Sequence, residues 1–234
     1  MPLTRNTRKA FIAFLIFDLL LAIWLAYLFL LREEVGDINQ LRELGATRYP
    51  EPLPVTAFSL TAEDGKVFTA ENLLDHWSLV FFGFTSCPDV CPLTLEELAS
   101  FSGRYGEMDA EDPLQVVFVT VDPEHDGVTE VAEYMTRFDE GFTGLTGSPE
   151  AITALASDFF VHFSTDNETG NHSGHKGGLS SRFDMSSPTR EERLISHNSH
   201  LSVVNPAGQL HAVIRPPVRS ETLLEVFPQL IQDW

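Results

Sequence analysis

Apolar and polar positions along this chain alternate in blocks that predict one long apolar segment followed by a succession of strands and helices. The apolar segment runs from Ala10 to Leu31 with Asp18 as its one charged interruption. Residues 33–49 are polar and charged, and Pro50, Pro52 and Pro54 follow, a pattern read as a spacer with a stiffened end. Ala57 to Phe68 holds two short strand-like runs around Asp64-Gly65, which predicts a hairpin. Leu79 to Phe84 is continuously apolar and bounded by turn residues, as expected of a strand buried on both faces.

A helix is expected from Pro92 to about Tyr105, with Leu95, Leu98 and Phe101 on one side. Leu114 to Val121 reads as a second buried strand, Thr129 to Phe138 as a helix, and Pro149 to Phe160 as another. Residues 164–193 are rich in Ser, Gly, Asn, Asp and Arg without a period that would define a core face, and are read as a long exposed insertion. Leu201–Asn205 and Leu210–Ile214 flank Pro206-Ala-Gly208 as a second hairpin. Ser220 is expected to cap a last helix that reaches about Gln232. Strands alternating with helices predict an α/β fold layered on a mixed sheet. The expected organisation is 1–9 a cytoplasmic N-terminus, 10–31 a transmembrane signal anchor, 32–54 a linker, and 55–234 one domain carrying the insertion.

Charge fixes the expected orientation. At about 1.5 Å rise per residue the apolar segment spans roughly 33 Å, enough for a bilayer core. Arg5, Arg8 and Lys9 precede it, whereas Arg32 is followed at once by Glu33 and Glu34. The positive-inside rule keeps the N-terminus cytoplasmic and exports the rest. The segment is longer than the apolar core of a cleaved signal peptide, and no small-x-small site follows it. The net charge is -19 over 234 residues, and the basic cluster at the N-terminus leaves the exported part more acidic still. Such a surface argues against nucleic acid as a partner, since binding phosphate requires cationic side chains.

The chain has two cysteines, Cys87 and Cys91, in Thr85-Ser-Cys-Pro-Asp-Val-Cys-Pro92, where the first buried strand hands over to a helix. In α/β folds the C-terminal ends of strands present ligands. The unpaired N–H groups and dipole of a helix start favour thiolates, which are both nucleophiles and metal ligands. A plain stabilising disulfide is the simpler reading. It would close so small a loop that it would restrict the unfolded chain little, which argues for a functional dithiol. Thiol–disulfide exchangers commonly use Cys-x-x-Cys. This motif has one more residue, and Asp89 opposes thiolate formation. Two soft thiolates suit Cu(I), and an added imidazole makes a site able to hold Cu(II) as well.

Eight histidines could supply that imidazole. His76 lies at the turn before the first buried strand and reads as structural, and His162 and His211 read as strand residues. His125 follows Asp122-Pro-Glu at the end of the second buried strand, at the edge of any site there. His172 and His175 fall in the insertion. His197 and His200, just before the strand at Leu201, remain as candidates, because a residue entering a strand beside the dithiol can point at it.

Phe82-Gly-Phe-Thr-Ser-Cys-Pro-Asp-Val-Cys-Pro92 resembles the copper-binding motif of the Sco/SenC family, membrane-anchored copper chaperones of thioredoxin-like fold that act in assembling the binuclear copper site of cytochrome c oxidase. Phe58–Gly65, Val119–Glu124, Phe142–Gly147 and Asn205–Gly208 resemble further family segments in the same order. The resemblance implies a mixed central sheet flanked by helices, copper bound as Cu(I) or Cu(II), and Cys87, Cys91 and His197 as metal ligands. Ser196 stands where the family commonly has Asp, and the segment before it is long, so His200 stays beside His197 as the alternative. Asp122 and Asp126 match family acidic residues near the site.

The function implied is delivery of copper to the copper-site subunit of the oxidase by thiolate exchange through exposed sulfurs. Other copper chaperones or thiol reductants would act as further partners, from a domain in the periplasm held to the inner membrane by the N-terminal helix. The alternatives are a thiol–disulfide reductase of that copper site, with Cys87 and Cys91 as its redox-active pair, or a redox sensor using the same dithiol.

Overall fold

The computed structural model describes residues 14–27, 39–108, 113–164, 196–197 and 200–232, so the insertion, apart from its first residue, and the ends of the apolar segment lie outside the described residues. Two compact units divide at Leu44 and Gly45. In the first, residues 14–27 are helical with outward apolar side chains such as Phe17, Leu20 and Trp24. Among the described residues no helix is long and apolar enough to cross a membrane.

The second unit is built on an eight-stranded sheet. Its strands are β1 (Ala46–Pro54), β2 (Ser59–Ala62), β3 (Val67–Thr69), β4 (Trp77–Gly83), β5 (Leu114–Thr120), β6 (Thr143–Thr146), β9 (Leu201–Val204) and β10 (Gln209–Ile214). They lie in the order β1-β10-β9-β4-β5-β6-β2-β3, with β7 (Phe163–Ser164) and β8 (Ser196–His197) paired separately. The helices are α1 (Val90–Gly106), α2 (Val128–Met135), α3 (Pro149–Asp158) and α4 (Ser220–Ile231).

Strand β4 explains the centre. All seven of its residues are buried, because it pairs with β5 in parallel on one side and β9 antiparallel on the other. Alternate side chains then meet different layers. Trp77 meets Phe227 of α4 edge-on at 6.0 Å, and Phe227 in turn meets Phe101 of α1 at 5.5 Å. On the opposite face Phe82 meets Phe159, just past α3, at 5.5 Å. In α1 the buried residues Cys91, Leu95, Leu98, Phe101 and Tyr105 recur at helical spacing, so one stripe faces the sheet. Ser148 caps α3 by accepting from the Ala151 N–H at 3.2 Å, and Pro149 fits the first turn, where no N–H donor is required.

Two sequence readings change. Residues 46–54 are strand β1 and not the end of a spacer: Ala46 to Arg48 pair with β10, and pairing resumes at Leu53 after a register break. The prolines are tolerated because β1 is an edge strand and Pro50 and Pro52 fall within the break, where no ladder N–H is needed. Helix α1 begins at Val90, two residues before Pro92, which brings Cys91 inside its first turn. The two predicted hairpins form as β2–β3 and β9–β10.

Candidate metal centre

The dithiol sits at the C-terminal rim of β4. After Gly83 the chain leaves the sheet, the Cys87 N–H donates to the Phe84 carbonyl at 3.2 Å, and α1 starts at Val90. The two sulfurs are not joined by a disulfide. The Cys91 N–H donates to Cys87 Sγ at 3.4 Å, a helix-start amide directed at the outer sulfur. Cys87 is half-buried and packs against the cluster that includes Val80, Phe82 and Phe84. Cys91 is 0% exposed and lies on the other face, where a Cβ on Gly83 would stand 2.8 Å from its Sγ and 2.9 Å from Phe118. The pair therefore straddles the rim, with Cys87 half-buried on one side and Cys91 fully buried on the other.

This geometry alters the expected chemistry. The hydrogen bond in which the Cys91 thiol keeps its proton toward the Cys87 sulfur, followed by burial, pushes the Cys91 thiol far above its ordinary range. The helix start does not overcome these two effects, and the expectation of two exposed thiolates gives way to one accessible sulfur and one buried thiol. Capture of a soft cation at Cys91 must then displace its proton.

Asp126, which is 0% exposed, holds the loop that precedes the dithiol. Its carboxylate accepts from the Thr85 N–H at 2.8 Å, from Thr85 Oγ at 2.5 Å and from Thr120 Oγ at 2.7 Å. Its own carbonyl accepts from Thr146 Oγ at 2.7 Å, so one residue ties the ends of β4, β5 and β6 together. Asp122, also buried, reaches the His125 ring at 2.7 Å through Oδ1 and Nδ1. Both acids read from the sequence as site neighbours thus act in the turn that supports the rim. His125 is turned to Asp122 and not to the sulfurs.

The remaining histidines separate by position. His200 has its Nε2 at 2.9 Å from the Phe159 carbonyl, which can only accept, so that nitrogen carries the proton. Burial lowers the His200 pKa and keeps the ring neutral. Strand β8 places His197 opposite Phe163 of β7; its side chain lies outside the described residues. Phe163 packs against the same apolar cluster as Cys87, so β7 and β8 lie on the Cys87 side of the sheet. His76 bonds the Asn72 carbonyl and His211 the Leu230 carbonyl. His162 is exposed and precedes β7 instead of lying in a strand, at the mouth of a cleft of about 410 Å³ shared with Asp122, Glu124 and Thr153. His172 and His175 fall outside the described residues. Among the described residues no group of three or more His, Cys, Asp or Glu side chains is gathered for a metal.

Sequence reading missed Gly83, Thr85 and Thr120. For Gly83 the signal was present: an isolated glycine in a buried aromatic strand marks a close approach by another group. The threonines gave none, since their role depends on a carboxylate 41 residues from Thr85.

Fold and site together define a class: a thioredoxin-like α/β domain that presents a dithiol where a buried strand turns into a helix. A family model described as SCO1/SenC matches residues 48–232, and the chain belongs to that family. It is 31% identical over 186 residues to a putative copper-binding protein of Stutzerimonas stutzeri, covering 79% of this chain and 80% of that one. It is 43% identical to the mitochondrial SCO1 homolog 1 of Arabidopsis thaliana, over 45% of this chain and only 31% of the relative. Among solved structures, Arabidopsis thaliana ScoI with copper bound superposes with a TM-score of 0.63 at 28% identity, over 76% of this chain and 98% of that one. Apo Sco1 of Thermus thermophilus gives 0.60 at 32% identity, over 79% and 94%.

Proposed function

We propose that this protein is a copper metallochaperone that binds the ion through Cys87, Cys91 and His197 and passes it to the copper-site subunit of cytochrome c oxidase. The observation that carries the reading is the unequal dithiol: a half-buried Cys87 and a fully buried Cys91, on a loop braced by Asp126. Membership of the SCO1/SenC family and the likeness to ScoI, solved with copper bound, support it. Two thiolates and one imidazole are a donor set suited to Cu(I) and able to hold Cu(II). Position β8 supports His197 as the third donor, because its partner strand shares the Cys87 side. His200 is the weaker choice, its Nε2 being committed to Phe159.

Delivery proceeds by exchange of ligands. An incoming thiolate meets copper first at Cys87, the accessible end, and Cys91 releases last as it regains its proton. The apolar segment 10–31 anchors the chain in the inner membrane, with the domain on the periplasmic side. The test is titration of the reduced full-length protein, in detergent, with Cu(I) and with Cu(II). One equivalent should bind with sulfur-to-copper charge-transfer absorption, and His197→Ala should weaken the Cu(II) form most. Failure to bind either ion would sink the proposal.

A second reading rests on the same asymmetry. An accessible Cys87 and a buried Cys91 are the arrangement of an attacking and a resolving thiol. In that reaction the Cys87 thiolate attacks a substrate disulfide and releases one thiolate. Cys91 then displaces the other, leaving the substrate reduced and a Cys87–Cys91 disulfide that an external dithiol must reduce. Disulfide reduction that survives His197→Ala unchanged, with copper binding lost, would favour it.

A further inference from the structure

The cleft of about 410 Å³ opens on the Cys87 side of the sheet. Val121 and Val161 line it, and both belong to the apolar cluster against which Cys87 packs. The Val121 N–H donates to the Gly83 carbonyl at 2.7 Å, so the cleft begins one strand away from where the chain leaves β4 for Cys87. Phe163 lines it too, and β8 sets His197 opposite Phe163. Two of the three proposed copper donors are thus neighbours of one cleft, Cys87 through the apolar cluster and His197 through strand pairing.

Charge indicates what the cleft takes. Its lining falls within residues 121–163, a stretch with nine acids and one base, Arg137. Arg137 is engaged elsewhere, 5.6 Å from the centre of the Tyr134 ring. The cleft therefore carries two carboxylates, Asp122 and Glu124, without a lysine or arginine among its lining residues. Asp122 is buried and tied to His125, which leaves the exposed Glu124 as the carboxylate that meets an incoming group. Thr153 and Ser157, four residues apart on one exposed face of α3, add hydroxyls. Apolar walls suit the methylene stem of a long basic side chain, and a carboxylate beside hydroxyls suits its charged head. An acidic group would be repelled, and a purely apolar one would strip water from Glu124 without replacing it. The volume lies near the lower end of the range for small-molecule sites, about 300–1,000 Å³, so it admits one such side chain and the peptide around it.

We propose that this cleft docks the copper acceptor by taking a lysine or arginine side chain of the acceptor polypeptide, with its charged head on Glu124. The inference rests on the copper-delivery reading and names what positions the acceptor for it. Anchored beside the rim, the acceptor holds its own sulfurs near Cys87, the donor that an incoming thiolate meets first. No bond to copper is made or broken in the cleft. Docking there sets the rate of transfer and leaves the protein's own affinity for copper unchanged.

The test is the rate at which full-length protein, loaded with one equivalent of Cu(I), passes it to the metal-free copper-binding domain of the oxidase subunit. Copper content of the two proteins after rapid separation gives that rate. Wild-type transfer should slow as salt is raised, because opposite charges across the contact are screened. Glu124→Lys should slow transfer by about tenfold or more at low salt, the loss expected for one charge-assisted hydrogen bond, and should flatten the salt dependence. Thr153→Trp fills the cleft without changing its charge and should slow transfer to a similar degree. Both variants should bind Cu(I) with wild-type affinity. Wild-type transfer rates in both variants would overturn the inference while leaving the copper reading intact. Weakened Cu(I) binding by E124K would also overturn it, by placing Glu124 in the metal site itself. Slow transfer in T153W alone, with no salt dependence in wild type, would assign the cleft to an uncharged segment and overturn the choice of a basic side chain. A wild-type dimer in light scattering that T153W dissociates would make the occupant a second copy of this chain, again overturning it. Wild-type protein that binds no copper, or passes none on, would sink both the inference and the reading beneath it.

Discussion

Asp126 and Thr85 are joined twice, by the Thr85 N–H at 2.8 Å and its hydroxyl at 2.5 Å, although 41 residues separate them. This double bond of side chain to loop, fully buried at the carboxylate, fixes where the chain leaves β4 and so where Cys87 begins. Asp126→Ala would leave the Thr85 N–H and two hydroxyls without their acceptor. Each buried donor so stranded costs about 1–3 kcal/mol, partly relieved by water. A loss of about 2–4 kcal/mol in chemical denaturation of the metal-free protein is expected, with weaker copper binding. Asp126→Asn keeps one acceptor oxygen and should lose less of both.

Gly83→Ala places a methyl group 2.8 Å from Cys91 Sγ and 2.9 Å from Phe118. Neither neighbour has a flexible end to yield, so the expected loss is about 1–3 kcal/mol, the range for overpacking. Copper affinity should fall even where the variant remains folded, because the sulfur itself is displaced. Undiminished copper binding in a folded G83A would contradict the placement of Cys91.

Brief alkylation of the reduced, metal-free protein should label Cys87 and spare Cys91, which is 0% exposed and whose thiol is pushed up by the Cys87 hydrogen bond and by burial. A rate difference of about tenfold or more is expected, since attack requires both access and a thiolate. Peptide mass spectrometry reads the result, and unfolding in denaturant should make the two rates similar.

His200→Ala removes the bond to the Phe159 carbonyl, at 2.9 Å. The expected cost is about 1 kcal/mol of stability, typical of one hydrogen bond, with copper stoichiometry retained. His197→Ala should show the reverse pattern, with stability held and the nitrogen signature of the Cu(II) form lost. Paramagnetic resonance of the two variants separates the candidates that the sequence left side by side.

His211 gives a pH dependence of definite sign. Burial lowers its pKa, and Arg48, on the neighbouring strand, adds to the effect against the Leu230 carbonyl bond. The folded state therefore binds a proton less readily than the unfolded chain. Stability is full above the unfolded value, about 6.5, and declines as pH falls from there toward the folded value. His211→Gln should flatten this decline in denaturation midpoints between neutral and mildly acidic pH. His200, lowered by burial too, would retain its own share.

Much of the fold was legible because burial on two faces writes itself as unbroken apolar runs. Leu79–Phe84 and Leu114–Val121 gave β4 and β5 for that reason, and Asp64-Gly65 and Pro206-Ala-Gly208 gave both hairpins through turn chemistry. Strand β1 was not legible. Its prolines signal a boundary, and only the edge position and the register break in pairing with β10 make them acceptable in a sheet. The histidines were only half legible, because a carbonyl partner such as that of Phe159 for His200 lies 41 residues away.

The sequence by itself determined that this chain carries one dithiol at the end of a buried strand, since apolar runs, turn residues and cysteine spacing are local properties. Tertiary structure alone decided that the two cysteines are unlike: Cys87 is half-buried, and Cys91 is fully buried against the space left by Gly83. It also decided that Asp126 braces the loop and that a cleft with Glu124 in its lining opens on the Cys87 side. These relations join separate strands and helices, and burial and proton affinity depend on what the folded chain brings around a group and not on its neighbours in sequence.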